Sequence, residues 1–406
     1  MEQVCNKKEC TGCGLCANLC DFIQMREDTT GFFRPVIDQR KCIDCGKCVK
    51  NCPAVHPYNQ FHPRPLDVLA AWNKNEEVLH ESSSGGAFSA FAEALLETGG
   101  VVFGAAFDSK FHLRHIAVTQ KEGLAALRKS KYVQSEIGLS YRQAKDFLES
   151  GKEVLFTGTP CQIVALNRFL KKKYENLYTA DVICYGVPSS GHLKRYIAWL
   201  SAKLNKEITA FQMRNKEKGW GQHPLIIFKD GSKKFLRGID NAFIYSYYNA
   251  LSIQTACNEC PYMTCKRSSD ITIGDFWKLG EKEPFPYKTS QGISLLLVNS
   301  PQGQKLLKRS ENNLKWIPRT LEEALIGQSR LRNVKREPWK TKKQEIIQQE
   351  YCREKDYTVL AKKYFYKKKL AKILSTILPQ SILYRYHDYI NRLQTKIKII
   401  FQKKSN

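Results

Sequence analysis

Three features of the 406-residue sequence predict its architecture: a small α+β module at the N-terminus, a mixed α/β domain after it, and a helical basic tail. The first is a tandem cysteine repeat, in which Cys10, Cys13, Cys16 and Cys20 recur 32 residues later as Cys42, Cys45, Cys48 and Cys52. The second is a series of short apolar runs alternating with segments of helical periodicity, as in KEVLFTGTPCQIVALNRFL (152–170). The third is charge. Residues 331–406 hold 20 Lys and Arg against 6 Asp and Glu, more than half of the chain's net +26. The expected divisions are 1–60, 61–150, 151–330 and 331–406, with a polar, proline-bearing connector at 56–67 and the compact part ending near residue 330. A hydrophobic content of 42% excludes a disordered or collagen-like chain and supplies material for buried cores.

Both cysteine blocks read C-x2-C-x2-C-x3-C, and Pro53 follows the second. This spacing wraps three thiolates around one corner of a 4Fe-4S cubane while the fourth reaches the neighbouring cluster. The expected partition is Cys10, Cys13, Cys16 and Cys52 on one cluster, with Cys42, Cys45, Cys48 and Cys20 on its twin. Paired zinc knuckles are the competing reading, and so tight a spacing, twice over, suits them poorly. The segment closely resembles a bacterial two-cluster ferredoxin, except that Asp21 stands where a proline usually follows Cys20. Cys5 lies outside the pattern and reads as a free thiol.

Fifteen cysteines would suggest disulfides in a secreted chain. The start, MEQVCNKKEC, has no apolar h-region, and no stretch approaches the ~18–20 apolar residues of a membrane span. A reducing, cytoplasmic setting is the expectation, where clustered cysteines serve as metal ligands or redox groups.

Beyond the connector, SGGAFSAFAEALLE (84–97) reads as a helix and GGVVFGAAF (99–107) as a buried strand. The Ser82–Gly86 stretch opens that helix; its small residues and free N–H groups suit a phosphate, although an ordinary loop has the same composition. Residues 152–170 read strand, turn, then helix with Pro160 at its start, and YTADVICYGVPS (178–189) reads as a further strand. Cys161 and Cys184 thus follow two strand ends, where the crevice of a parallel sheet binds ligands. With Cys257 and Cys260 they make four thiols. Spacing alone leaves a third cluster, a zinc site and unligated thiols open. ITIGDFW (271–277) and ISLLLVNS (293–300) add sheet material.

SSSGGAFSA (82–90), GGVVFGAAFD (99–108), LRKSKYVQS (127–135), LFTGTPCQ (155–162), VICYGVPS (182–189), GWG (219–221) and SDITIGDFW (269–277) occur in this order. Together they resemble the coenzyme F-420 hydrogenase/dehydrogenase beta-subunit family, in its version with a fused N-terminal ferredoxin. The resemblance implies a ferredoxin-like module at 1–60 and a mixed α/β flavin-binding domain whose two parts are 61–150 and 151–330. It also implies FAD, and a third 4Fe-4S cluster on Cys161, Cys184, Cys257 and Cys260, with Cys265 a bystander or substitute ligand. Ser83, Ser84, Gly85, Gly86 and Ala87 would cradle the flavin diphosphate. Lys131, Tyr132, Gln134, Ser135, Thr157, Gly158 and Thr159 would line the flavin, with Asp270, Gly274 and Asp275 near cluster and flavin. Relatives commonly carry histidine where this chain has Tyr185, which puts a proton-transfer role there in doubt. The catalytic residues stay unassigned.

The implied activity is that of an oxidoreductase passing electrons between an external one-electron protein carrier and a small-molecule hydride substrate. The deazaflavin coenzyme and a surface-polysaccharide precursor are the two substrate expectations. A non-catalytic electron-transfer subunit is the alternative. In the tail, Leu370, Ile373, Leu374 and Ile377 share a helical face beside Lys367–Lys369 and Lys372, before Pro379. This pattern suits a helical pair packed on the domain or a partner and, second, peripheral contact with an anionic membrane at its inner face. No nucleic acid is expected, because no recognised module accompanies the charge.

Overall fold

The computed structural model describes residues 2–366. The tail residues Leu370, Ile373, Leu374 and Ile377, with their lysines and Pro379, lie outside the described residues.

The N-terminal module places each cysteine block at a short helix, Leu15–Leu19 and Lys47–Lys50. Between them runs an antiparallel hairpin, β1 (Ile23–Glu27) and β2 (Phe33–Ile37). Each helix is entered through a glycine with positive φ, Gly14 at 74° and Gly46 at 70°. A side chain at either position would strain the turn that carries the thiols.

Eight strands build the main sheet: β3 (Asp67–Asn73), β4 (Val101–Phe107), β5 (Leu113–Val118), β6 (Val154–Gly158), β7 (Leu177–Val182), β11 (Ile271–Asp275), β12 (Ser294–Val298) and β13 (Leu314–Pro318). A separate three-stranded sheet comprises β8 (Ile208–Gln212), β9 (Leu225–Phe228) and β10 (Lys233–Phe235). The main sheet runs in the order β13-β3-β12-β11-β7-β6-β4-β5. Strands β4, β6, β7 and β11 are mutually parallel, and the remaining neighbours pair antiparallel. The sheet is therefore mixed, with the parallel strands the sequence reading expects at its centre, and the parts 61–150 and 151–330 share it.

Alternation along the strands fills both faces. Val102 and Leu155 join one buried cluster, which includes Phe91 and Leu95 of the helix Ala87–Leu96. Val101, Phe103, Val154 and Phe156 join the other, with Tyr141 and Leu148 of the helix Ser140–Glu149 and Ile163 and Leu166 of the helix Pro160–Leu170. Successive side chains of a strand point to opposite faces, so near-continuous apolar runs mark strands covered on both sides.

A further core gathers the helix Ser190–Leu204, the small sheet and two late helices, Pro338–Arg353 and Tyr357–Tyr364. Ile347, Tyr357, Leu360, Ala361 and Phe365 are all buried there. The expected end of the compact part near residue 330 is thus wrong. Residues 338–365 complete a core, because their apolar side chains close over Tyr196 and Phe243.

Candidate functional site

Parallel strands deliver their C-terminal ends to one edge of the sheet, and the chemistry-bearing residues collect there. The helix Pro160–Leu170 begins directly after β6, with Pro160 at its first position. Gln162 Oε1 reaches back to accept from the Thr159 N–H at 2.9 Å, fixing the turn that carries Cys161. Strand β7 ends two residues before Cys184. Strand β3 runs antiparallel to β12, which runs antiparallel to β11, and Ala71, Ser294 and Asp275 stand in register. The Ser82–Gly86 loop lies over these ends: Ser84 Oγ donates to Ile293 O at 2.9 Å, and a Cβ on Gly85 would stand 2.2 Å from Ala71 O.

Cys161, Cys184, Cys257 and Cys260 border one cavity, together with Arg330. Burial raises Cys161, Cys184 and Cys260, Cys184 to about 12 and Cys260 to about 11. The guanidinium of Arg330 acts in the opposite direction on Cys184 and Cys260. Cys10, Cys13, Cys16 and Cys52 border a second cavity. Thr11 and Gly12 line both cavities. Cys20, Cys42 and Cys48 pack together with Cys16 and Cys52 around Ile23 and Ile37, and Cys45 is exposed at the outer surface.

The thiols of the two cavities stand around spaces rather than meeting at a point, and no three His, Cys, Asp or Glu side chains among the described residues could hold a single ion. A donor set of four thiolates around a void, with a guanidinium alongside, fits a cubane cluster better than zinc.

Two other cysteines depart from expectation or resolve it. Cys5 lines the first cavity within hydrogen-bonding reach of Cys10 and Cys52, so it is no bystander in position. Its hydrogen bonds are the largest influence drawing Cys10 down to about 6 and Cys52 to about 7. Cys265 turns instead into the core around Phe276, its Sγ donating to Leu331 O at 3.5 Å.

The residues expected around one flavin divide into two groups. Gln134, Ser135 and Thr159 border the cavity of Cys161, Cys184, Cys257 and Cys260. Gln134 Oε1 accepts from Phe33 N–H at 2.8 Å and so ties the N-terminal module to the body. Beneath them His115 spans Thr157 O and Ser135 Oγ, each at 3.0 Å, while Gln162 Nε2 donates to Ser135 Oγ. Burial holds His115 down to about 4, so it is neutral there. A Cβ on Gly158 would meet Gln162 and His115.

The other group centres on Ser83 and Ser84. Ser83 Oγ accepts from Ser130 N–H at 2.8 Å. Lys131 Nζ donates to the carbonyls of Leu127, Arg128 and Lys129, and burial pulls it down to about 7. Gly86 enters the helix Ala87–Leu96 at φ 77°. Tyr132 stacks on Tyr247 at 4.3 Å, in a packed cluster that also takes in Tyr185 and Cys257.

Sequence reasoning missed the segment that completes this second group. Lys216 Nζ donates to Leu79 O at 2.6 Å and Ser84 O at 2.5 Å, and is pushed down to about 7 by burial and then by Arg214. Arg214 pairs with Asp275, is 3% exposed, and leaves Nη2 buried without a protein partner. Trp220 donates to Asp275 at 2.9 Å and stacks on Trp277 at 4.5 Å. The flanking GWG was the only visible signal for these residues. Buried cations beside an incompletely satisfied guanidinium suit an anionic group such as a diphosphate. Asp270, by contrast, stands at the opposite sheet edge, bonded to Thr179 and Ser300, which removes it from the site.

Tyr185 lies under the guanidiniums of Arg336, at 4.3 Å, and Arg330, at 5.8 Å; its hydroxyl donates to Tyr248 O at 3.2 Å. No helix among the described residues is long and apolar enough to cross a membrane.

Comparison with known families finds a 4Fe-4S dicluster domain over residues 9–55. The N-terminal and C-terminal models of the coenzyme F420 hydrogenase/dehydrogenase beta subunit match 68–139 and 151–321. No curated protein matches. Among solved structures, a xenon-derivatised F420-reducing nickel–iron hydrogenase complex from Methanosarcina barkeri is similar at 16% identity, covering 71% of this chain and 91% of that one, with a TM-score of 0.45.

Proposed function

The chain belongs to the coenzyme F420 hydrogenase/dehydrogenase beta-subunit family, extended by a 4Fe-4S dicluster domain, and from that membership we propose an iron–sulfur flavoprotein oxidoreductase joining a one-electron protein carrier to a small-molecule hydride substrate. The observation that carries this reading is the wall of Thr11 and Gly12 shared by two thiol cavities. Cys10, Cys13, Cys16 and Cys52 would hold one cluster, and Cys42, Cys45, Cys48 and Cys20 a second. Cys161, Cys184, Cys257 and Cys260 would hold a third. Ser83, Ser84, Gly85, Gly86 and Ala87, joined by Lys216 and Arg214, would take the diphosphate of FAD. When bound, the clusters supply one-electron and the flavin two-electron chemistry.

The chain's own residues supply the setting. Arg330 offsets the negative charge of the inner thiolates, and Arg34 that of Cys10. His115, neutral and held at both nitrogens, fixes Ser135 and the strand end at Thr157. The Tyr132–Tyr247 stack belongs to the same packed cluster as Cys257, beside the inner thiols. The deazaflavin coenzyme is the first substrate to test, and a polysaccharide precursor the next. The family's description as a subunit also supports a second reading, an electron-transfer subunit serving a partner enzyme.

Iron, sulfide and flavin content of anaerobically reconstituted protein tests the proposal. It predicts about 12 iron and one flavin per chain. Cys161→Ser should remove the inner cluster and leave about 8 iron. Eight iron and no flavin in the unaltered chain would defeat the flavoprotein reading. Full cofactor content without turnover of any hydride substrate would favour the subunit reading.

A further inference from the structure

Of the twelve expected ligand cysteines, Cys45 alone is exposed. Its loop and the helix Lys47–Lys50 are largely exposed. Ile43 is 80% exposed beside it, the barest large apolar side chain among the described residues. Arg40, Lys41, Lys47 and Lys50 are exposed around it, and Lys47 and Lys50, three residues apart, share a helix face. Asp38 pairs with Arg40 at 3.4 Å. No carboxylate pairs with Lys41, Lys47 or Lys50 among the described residues.

We propose that this surface, residues 40–50, is where an acidic one-electron carrier protein docks, with Ile43 as its apolar centre and Lys41, Lys47 and Lys50 as its charged rim. The proposal rests on the functional reading above and adds to it the partner's chemistry and place of contact. Two arguments favour a carrier over other acidic partners. Electron exchange needs close approach to a thiolate ligand, and Cys45 is the one such sulfur at the surface. A small apolar centre within a rim of unpaired charge is also the form suited to fast, salt-sensitive and short-lived association. A lipid surface is better met by a long amphipathic helix than by one isoleucine on a short loop.

The test uses the full-length reconstituted protein and, as probe, an oxidised acidic bacterial ferredoxin. Lys41→Glu/Lys47→Glu/Lys50→Glu should weaken ferredoxin binding at least tenfold at low ionic strength, and the difference should shrink as salt screens the charges. Ile43→Asp should weaken it as well. The control, Lys305→Glu/Lys308→Glu, lies on the helix Pro301–Arg309, which follows β12 at the opposite sheet edge. It should bind like the unaltered protein. Iron content should stay at about 12 in every variant.

No ferredoxin binding by the unaltered protein, or equal binding by the triple variant and the control, would overturn the proposal. So would loss of binding to phosphatidylglycerol–phosphatidylcholine vesicles in the triple variant with ferredoxin binding unchanged. Any of these with iron and flavin intact would leave the oxidoreductase reading standing. Low iron in the unaltered protein would remove both.

Discussion

Lys216 joins the Ser82–Gly86 loop to the rest of the cation-lined group, holding Leu79 O and Ser84 O while buried beside Arg214. Burial moves it from an ordinary 10.5 to about 7. Between those values the unfolded chain binds a proton that the native chain does not, so this residue's contribution to stability rises with pH across that window. Anion binding has the opposite dependence, because only the protonated amine attracts a diphosphate. FAD affinity, read by quenching of flavin fluorescence, should therefore fall as pH rises through about 7. Lys216→Met should weaken binding about tenfold at pH 6, the value of one charge-assisted hydrogen bond, and flatten the profile. Lys131 titrates in the same range, but its amine is turned onto three carbonyls of its own turn. An unchanged profile in the variant would exclude Lys216 from anion binding.

Among the elements, the late helices matter most for how the chain can be cut. Pro338–Arg353 touches both the N-terminal module and the inner thiol loop. Lys8 pairs with Glu345 at 2.9 Å, Cys352 Sγ donates to Thr29 O at 3.4 Å, and Asn258, next to Cys257, donates to Gln344 at 2.5 Å. Tyr357–Tyr364 then buries Tyr357 and Leu360 against the helix Ser190–Leu204, where Tyr357 Oη lies 2.8 Å from His192 Nε2. A fully buried large apolar side chain is worth about 1.5–3 kcal/mol, so ending the chain at 336 forfeits several such contributions. A 1–366 chain should keep the melting temperature of the full protein, whereas a 1–336 chain should melt much lower or aggregate. Equal melting temperatures would mean that these helices only rest on the body. Membrane binding by the tail is therefore tested by the 1–366 truncation, which leaves the core whole.

At the scale of the whole molecule, the N-terminal module is built into the body. Tyr141 Oη donates to Cys13 O at 2.8 Å, Gln254 Nε2 to Thr11 O at 3.0 Å, and Asn18 Nδ2 to Gly138 O at 2.9 Å. Gly31 and Gly191 bring two backbones so close that a Cβ on either would stand 2.7 Å from the other's Cα. Buried bonds of this kind leave unsatisfied groups if one part opens alone, which couples the two parts. Thermal unfolding followed by cluster absorbance and by far-ultraviolet circular dichroism should give coincident transitions. Loss of the cluster signal well below the dichroic transition would show an independently unfolding module.

The tandem cysteine repeat was legible because cluster ligation depends on local spacing, and both blocks lie in tight turns of their own. Five of the eight strands of the main sheet and the turn before Cys161 were legible because buried strands are continuous apolar runs and a proline marks the helix start, whereas β3, β5 and β13 went unread. Spacing could not assign Cys5 to the first cavity, nor join Cys257 and Cys260 to Cys161 and Cys184, because those contacts cross between distant segments. It likewise hid Arg214, Lys216 and His115, single polar residues whose meaning arises only when distant segments meet. The end of the core was misread for the same reason: charge marks the composition after residue 330, while Ile347, Tyr357, Leu360, Ala361 and Phe365 pack into the body. Local spacing determined the tandem cluster motif at the N-terminus, and long-range packing decided which residues face one another everywhere else.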